Sequence, residues 1–194
     1  PNQSGGTLPS DTYVYIGGTA HIGNATDLTL NTSSDGNVFG AGSGNAAQAT
    51  TGRVNNSNVV IADKSYIKNN VFGGGNFGYS NATATLYVTG GEVNGSVFGG
   101  SNQKQGNTVS VNMTGGQVNT GIYGGSNVTG TISGNVTMHI NGGQVGTTTQ
   151  SANIHGGGYG SNTMVNGSIS LTLGKDCNAT SGVTVYGDVY GGSA

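Results

Sequence analysis

A fifteen-residue pattern that returns in register constrains this chain more than any other feature. Leu86-Tyr-Val-Thr-Gly-Gly-Glu-Val-Asn-Gly-Ser-Val-Phe-Gly-Gly100 matches Val111-Asn-Met-Thr-Gly-Gly-Gln-Val-Asn-Thr-Gly-Ile-Tyr-Gly-Gly125 position by position, 25 residues on. The first half returns as Met138-His-Ile-Asn-Gly-Gly-Gln-Val145. The second half returns at Val38-Phe39, Val71-Phe72, Ile154-His155 and Val189-Tyr190, each followed by glycine. These β-branched residues stand at 38, 71, 97, 122, 154 and 189, so the spacings are 33, 26, 25, 32 and 35. About six units near 25 residues result, some carrying loop insertions. A repeat of this length is one supersecondary unit that buries its apolar side chains only against its neighbours.

Each unit reads as strand, turn, short strand, turn, short strand. In the first strand Val109, Val111 and Met113 alternate with Thr108, Ser110 and Asn112. Val136/Met138/Ile140, Ala84/Leu86/Val88 and Ile169/Leu171/Leu173 repeat that alternation. A period of two is the mark of a half-buried strand. Gly90-Gly91, Gly115-Gly116 and Gly142-Gly143 then turn the chain, because glycine accepts positive φ without Cβ strain. A single core residue follows (Val93, Val118, Val145), then a corner such as Asn94-Gly95-Ser96, then the Val-Phe-Gly-Gly strand. No unit carries a helix signal. The predicted fold is all-β, a parallel β-helix of about six turns with three short strands each. It occupies residues 11–194 as a single domain behind an N-terminal extension at 1–10.

Composition agrees with this and removes other classes. The 40 Gly, 24 Asn, 24 Thr and 19 Ser make 107 of 194 residues, while only 12 are charged. A net charge of −2 offers no basic field for nucleic acid. No apolar run reaches the ~18 residues of a membrane-spanning helix. The patterned Val, Ile and Tyr argue against disorder. The chain starts at Pro1 without Met or a signal segment, which is expected of a processed or excised piece.

The recurring V-x-GG-x-V and V-[FY]-GG elements resemble the glycine-rich β-solenoid segments of bacterial and archaeal adhesin-like surface proteins. The resemblance spans about residues 11–192 and implies an extracellular or cell-surface setting. It departs most in residues 11–75, where Ala62-Asp63-Lys64 replaces Gly-Gly.

Two rows of equivalent residues are the candidate sites. Phe39, Phe72, Phe98, Tyr123, His155 and Tyr190 share one position across the units. The stricter Val/Ile row before them is expected to point inward. That places the aromatic row outward as a flat apolar stripe, suited to glycan stacking or to lateral packing against another chain. The alternative is that the rings fill the core. Glu92, Gln117 and Gln144 share the position after the Gly-Gly turn and read as a structural amide ladder.

Signals for catalysis, metal or cofactor binding are lacking. The seven carboxylates and the single Arg53 fall on different units and corners, not in the clustered arrangement that polysaccharide cleavage needs. Asp63 and Lys64 read as solvated turn residues. Gly73-Gly-Gly-Asn-Phe-Gly78 fits a phosphate-binding glycine pattern but no helix follows it. His21, His139 and His155 occupy unrelated positions, so no metal cluster and no cofactor are expected. Cys177 is the only cysteine, either a small semi-buried residue or an intermolecular thiol.

Eleven Asn-X-Ser/Thr triplets begin at Asn2, Asn24, Asn31, Asn55, Asn81, Asn94, Asn112, Asn127, Asn135, Asn166 and Asn178. They mark either a glycoprotein or corners that use Asn, Gly and Ser for geometric reasons. No capping helix is evident at either end. Continuation of the ladder is therefore expected, with a second copy head to tail or with the rest of a longer adhesin. The expected function is a non-enzymatic structural segment of a surface fibre or adhesin stalk. The alternative is a carbohydrate-binding adhesin module using the aromatic row.

Overall fold

A computed structural model describes residues 10–23, 35–48, 51–174 and 182–194. These form an all-β structure without helices. Six strands, Thr12–Ile16, Ser57–Ile61, Thr83–Val88, Thr108–Val118, Val136–Val145 and Ile169–Leu173, pair side by side in that order, all parallel. Each pairs with its equivalent in the neighbouring repeat: Val59, Leu86, Val111, Met138 and Leu171 form one row.

A second row runs through His21–Ile22, Tyr66–Ile67, Glu92–Val93, the C-terminal ends of the 108–118 and 136–145 strands, and Val183–Val185. Because two strands continue from the first row into the second, both rows belong to one ten-stranded sheet. Three separate strands in every unit were expected. In two units the first two strands are instead one, bent at Gly115-Gly116 and Gly142-Gly143 with a shift of register. A separate six-stranded sheet joins Val38–Phe39, Val71–Phe72, Ser96–Phe98, Gly121–Tyr123, Asn153–His155 and Val189–Tyr190, again parallel. A small third sheet pairs Thr129–Ile132 with Asn162–Val165.

The core lies between these sheets. Val59, Ile61, Leu86, Val88, Val111, Met113, Met138 and Ile140 are buried against Val71, Val97, Ile122 and Ile154 of the second sheet. Each fully buried aliphatic contributes about 1.5–3 kcal/mol. At the first and last units cover is thinner: Val14, Ile16, Leu171, Leu173 and Val185 are only partly buried.

The two kinds of glycine pair have different physical causes. Gly91, Gly116 and Gly143 have φ of 72°, 79° and 89°, the left-handed region that a Cβ disfavours. In the Val-Phe-Gly-Gly strand the requirement is space. A Cβ on Gly99 would stand 2.6 Å from the carbonyl oxygen of Gly124, its own equivalent in the next unit. Gly73, Gly124 and Gly156 face their equivalents in the same way. At the departure from the pattern, Asp63 adopts φ of 59°, a conformation Asp tolerates better than most residues. Its carboxylate accepts hydrogen bonds from Gly18 N at 2.8 Å and from Tyr15 Oη at 3.1 Å, and both Asp63 and Lys64 are exposed.

Asparagine holds the corners. Asn37 Oδ1 accepts from Asn70 N, Asn70 Oδ1 from Ser96 N, and Asn153 Oδ1 from Asp188 N, each spanning to the next unit. Asn56 and Asn135 do the same for Thr83 N and Ser168 N. Asn76, Asn102 and Asn127 form an amide chain with steps of 2.8 Å. The bonds accepted by Asn37, Asn56, Asn70, Asn135 and Asn153 satisfy backbone donors at the corners. Among the described residues one charged side chain is buried: Lys68 is 1% exposed, with Nζ 3.5 Å from Asp35 Oδ1.

Candidate functional site

The aromatic row is a continuous stack. Phe39, Phe72, Phe98, Tyr123, His155 and Tyr190 follow one another with ring centroids 4.7 to 5.2 Å apart and planes within 14° of parallel. The spacing is that of neighbouring strands, so in-register pairing produces the stack. The rings lie on the opposite side of their strand from Val71, Val97, Ile122 and Ile154, as a cluster apart from the main core.

The expectation of an uncovered apolar stripe is corrected. Phe72, Phe98, Tyr123 and His155 are buried, at 1, 3, 7 and 7% exposure. Segments that follow the glycines cover the middle of the row, and Tyr159 sets its ring edge-on to Tyr123 at 5.1 Å. The sequence shows the row but not the loop insertions folding back over it. Only Tyr190, at 44%, presents a substantial surface. Burial raises the Tyr123 phenol above its ordinary pKa. It lowers that of His155, a shift that a hydrogen bond with the Ser193 backbone partly offsets. His155 Nδ1 is buried without a hydrogen-bond partner. Stacked between two rings, this imidazole sits where burial disfavours its charged form.

The amide row lies in a more open place. Gln117 pairs in register with Glu92 on one side and Gln144 on the other. Gln144 Nε2 donates to Gln117 Oε1 at 3.2 Å. Gln117 Nε2 donates to Asn119 Oδ1 at 2.6 Å, and Asn119 Nδ2 donates to Glu92 Oε1 at 2.8 Å. The same register position continues to Tyr66 and His21 beyond Glu92, and to Thr184 beyond Gln144. Sequence reasoning missed these three, because two extra residues separate Gly17-Gly18 from His21, Ala62-Asp63-Lys64 stands in place of Gly-Gly ahead of Tyr66, and the spacing from Gln144 to Thr184 is longer. The alternation of the short strands carried the signal: Tyr66-Ile67, Glu92-Val93, Gln117-Val118 and Gln144-Val145 each place one polar residue before one buried aliphatic.

The left-handed glycines bend the sheet beside this row and leave a groove of about 730 Å³. Among the described residues no aliphatic side chain lines it. The His21 and Tyr66 rings meet at 5.5 Å, tilted by 36°. Burial, then the neighbouring Glu92 carboxylate, raises the Tyr66 phenol above its ordinary pKa.

Among the described residues no group of three or more His, Cys, Asp or Glu side chains is placed to hold a metal ion. Among the described residues no helix is long and apolar enough to cross a membrane. Cys177 and the triplets at Asn2, Asn24, Asn31 and Asn178 lie outside the described residues, as does nearly all of the 1–10 extension. No protein-family model, curated protein or solved structure gives a significant match to this chain.

Proposed function

We propose that the repeat units are successive turns of a parallel β-helix. In this reading the chain is a non-enzymatic structural segment of an extracellular fibre or adhesin stalk, akin to the glycine-rich solenoid segments it resembles. The observation that carries this is the state of the outermost strands. Among the described residues Thr12–Ile16 pairs only with Ser57–Ile61, Ile169–Leu173 only with Val136–Val145, and Val189–Tyr190 only with Asn153–His155. Their apolar side chains are partly uncovered, and Val189 and Tyr190 are each 44% exposed. Unpaired strand edges backed by half-covered apolar residues favour addition of another strand. Further units, from a second copy head to tail or from a longer chain, supply it. The scarcity of charge supports such stacking, since like charges in register repel.

Sedimentation velocity over a concentration series, with electron microscopy of the same samples, tests end-to-end association. Growing rods of constant width are expected. Leu171→Lys, at the partly covered C-terminal edge, should arrest growth while leaving the circular dichroism spectrum intact. A chain that stays monomeric at high concentration refutes self-association.

A further inference from the structure

The bend groove carries a regular row of polar side chains. His21, Tyr66, Glu92, Gln117, Gln144 and Thr184 succeed one another along it at the strand spacing of about 4.8 Å, so the row extends roughly 24 Å. All six side chains are at least partly exposed. The ladder bonds leave capacity unused. Among the described residues Tyr66 Oη, both His21 ring nitrogens, Gln144 Oε1 and Thr184 Oγ1 have no hydrogen-bond partner, and Glu92 uses one carboxylate oxygen. The groove therefore presents donors and acceptors at regular intervals, a partly exposed aromatic ring pair at one end and, among the described residues, no aliphatic contact.

We infer that this groove binds an extended chain of neutral, β-linked pyranose sugars lying across the strands. The chemistry selects this class. Hydroxyl-rich rings match amide, hydroxyl and imidazole partners, and the amphipathic Tyr66 face suits a sugar ring. The advance of one sugar in an extended β-linked chain is close to the strand spacing, so successive sugars meet successive units. An extended peptide would leave its apolar side chains without a pocket here. Among the described lining residues, a polyanion would meet the carboxylates of Glu92 and Asp63 against the single ammonium of Lys64. The site is distinct from the aromatic row, whose middle rings are covered, and it does not depend on end-to-end association.

Affinity gel electrophoresis tests this, with hydroxyethylcellulose, xyloglucan, galactomannan and laminarin as neutral probes and alginate as the anionic one. At least one neutral β-linked polymer should retard the protein, with affinity for its oligosaccharides rising with length. The Gln117→Ala/Gln144→Ala pair should weaken retardation about tenfold or more, as expected for losing two or more hydrogen bonds. Thr184→Ala, at an exposed site without a partner, should weaken it while leaving the melting curve unchanged, which keeps the test valid if the double variant unfolds. Tyr190→Ala should have no effect. Retardation by none of the neutral polymers, retardation by alginate alone, or a loss in Tyr190→Ala but not in Thr184→Ala would overturn the inference.

Discussion

Replacing Gly99 by alanine adds one methyl group where the units come closest. The new Cβ would lie 2.6 Å from Gly124 O and 2.8 Å from Val111 Cγ2, and against Val109 Cγ1. A non-bonded pair of carbon atoms needs about 3.5 Å, so the neighbouring unit has to retreat by roughly 0.7 Å to clear Val111 Cγ2 alone. It is held by hydrogen bonds from Gly99 N to Tyr123 O at 2.8 Å and from Gly100 N to Gly125 O at 3.0 Å. Overpacking a well-filled site costs about 1–3 kcal/mol, and stretching two backbone bonds costs up to about 0.5–1.5 kcal/mol each. A loss near 3 kcal/mol corresponds to a fall in Tm of about 6–12 °C for a chain of this size. Gly192 is the control, with nothing within 4 Å of its Cβ position and no left-handed φ. Its alanine variant should stay within about 0.5 kcal/mol of the parent. Thermal melts followed by circular dichroism compare the two. Equal melting of Gly99→Ala and Gly192→Ala would refute the account of why this strand ends in glycine.

Leu86→Ala empties a fully buried site in the middle of the core and should cost about 2–5 kcal/mol in urea unfolding, with no change in the sheet signal of the folded state. His155 has a lowered folded pKa, so its stability contribution is complete above the ordinary value near 6.5 and is lost as pH falls toward the folded value, where only the unfolded chain takes up the proton. His155→Phe, which prolongs the ring stack, should flatten that part of the pH profile of the urea midpoint; an unchanged profile would assign the loss elsewhere. If a host attaches N-glycans, peptide mapping should find them at the exposed Asn81, Asn135 and Asn166 and not at Asn94, whose Nδ2 is buried.

The units and their register were legible because the repeat is strict where backbone geometry is most demanding. Val111 over Leu86 and Tyr123 over Phe98 follow directly from the 25-residue offset. The positive φ of Gly91, Gly116 and Gly143 was legible for the same reason. The steric role of Gly99 was not, since a close approach between units leaves the same letter in the sequence as a turn does. The aromatic row could be aligned but its cover could not. Tyr159 comes from an insertion without a counterpart in every unit, so no periodicity announces where it folds. The groove was half legible: Glu92, Gln117 and Gln144 stood out as a row, but its continuation to Tyr66 and Thr184 appears only once strand pairing fixes the register.

The central claim is that equivalent residues of successive units stack in parallel along one line. Tyr13, Asn58, Thr85, Ser110, Thr137 and Ser170 form such a line on the outer face of the first row of strands. Spin labels placed pairwise on it and measured by pulsed electron resonance test the claim directly. Tyr13 to Thr137 and Asn58 to Ser170 each span four strand spacings, about 19 Å between backbones, and Tyr13 to Ser170 spans five, about 24 Å. Two equal distances and a third longer by one strand spacing are predicted. Unequal values for the two four-step pairs, or a five-step pair no longer than they are, would contradict it.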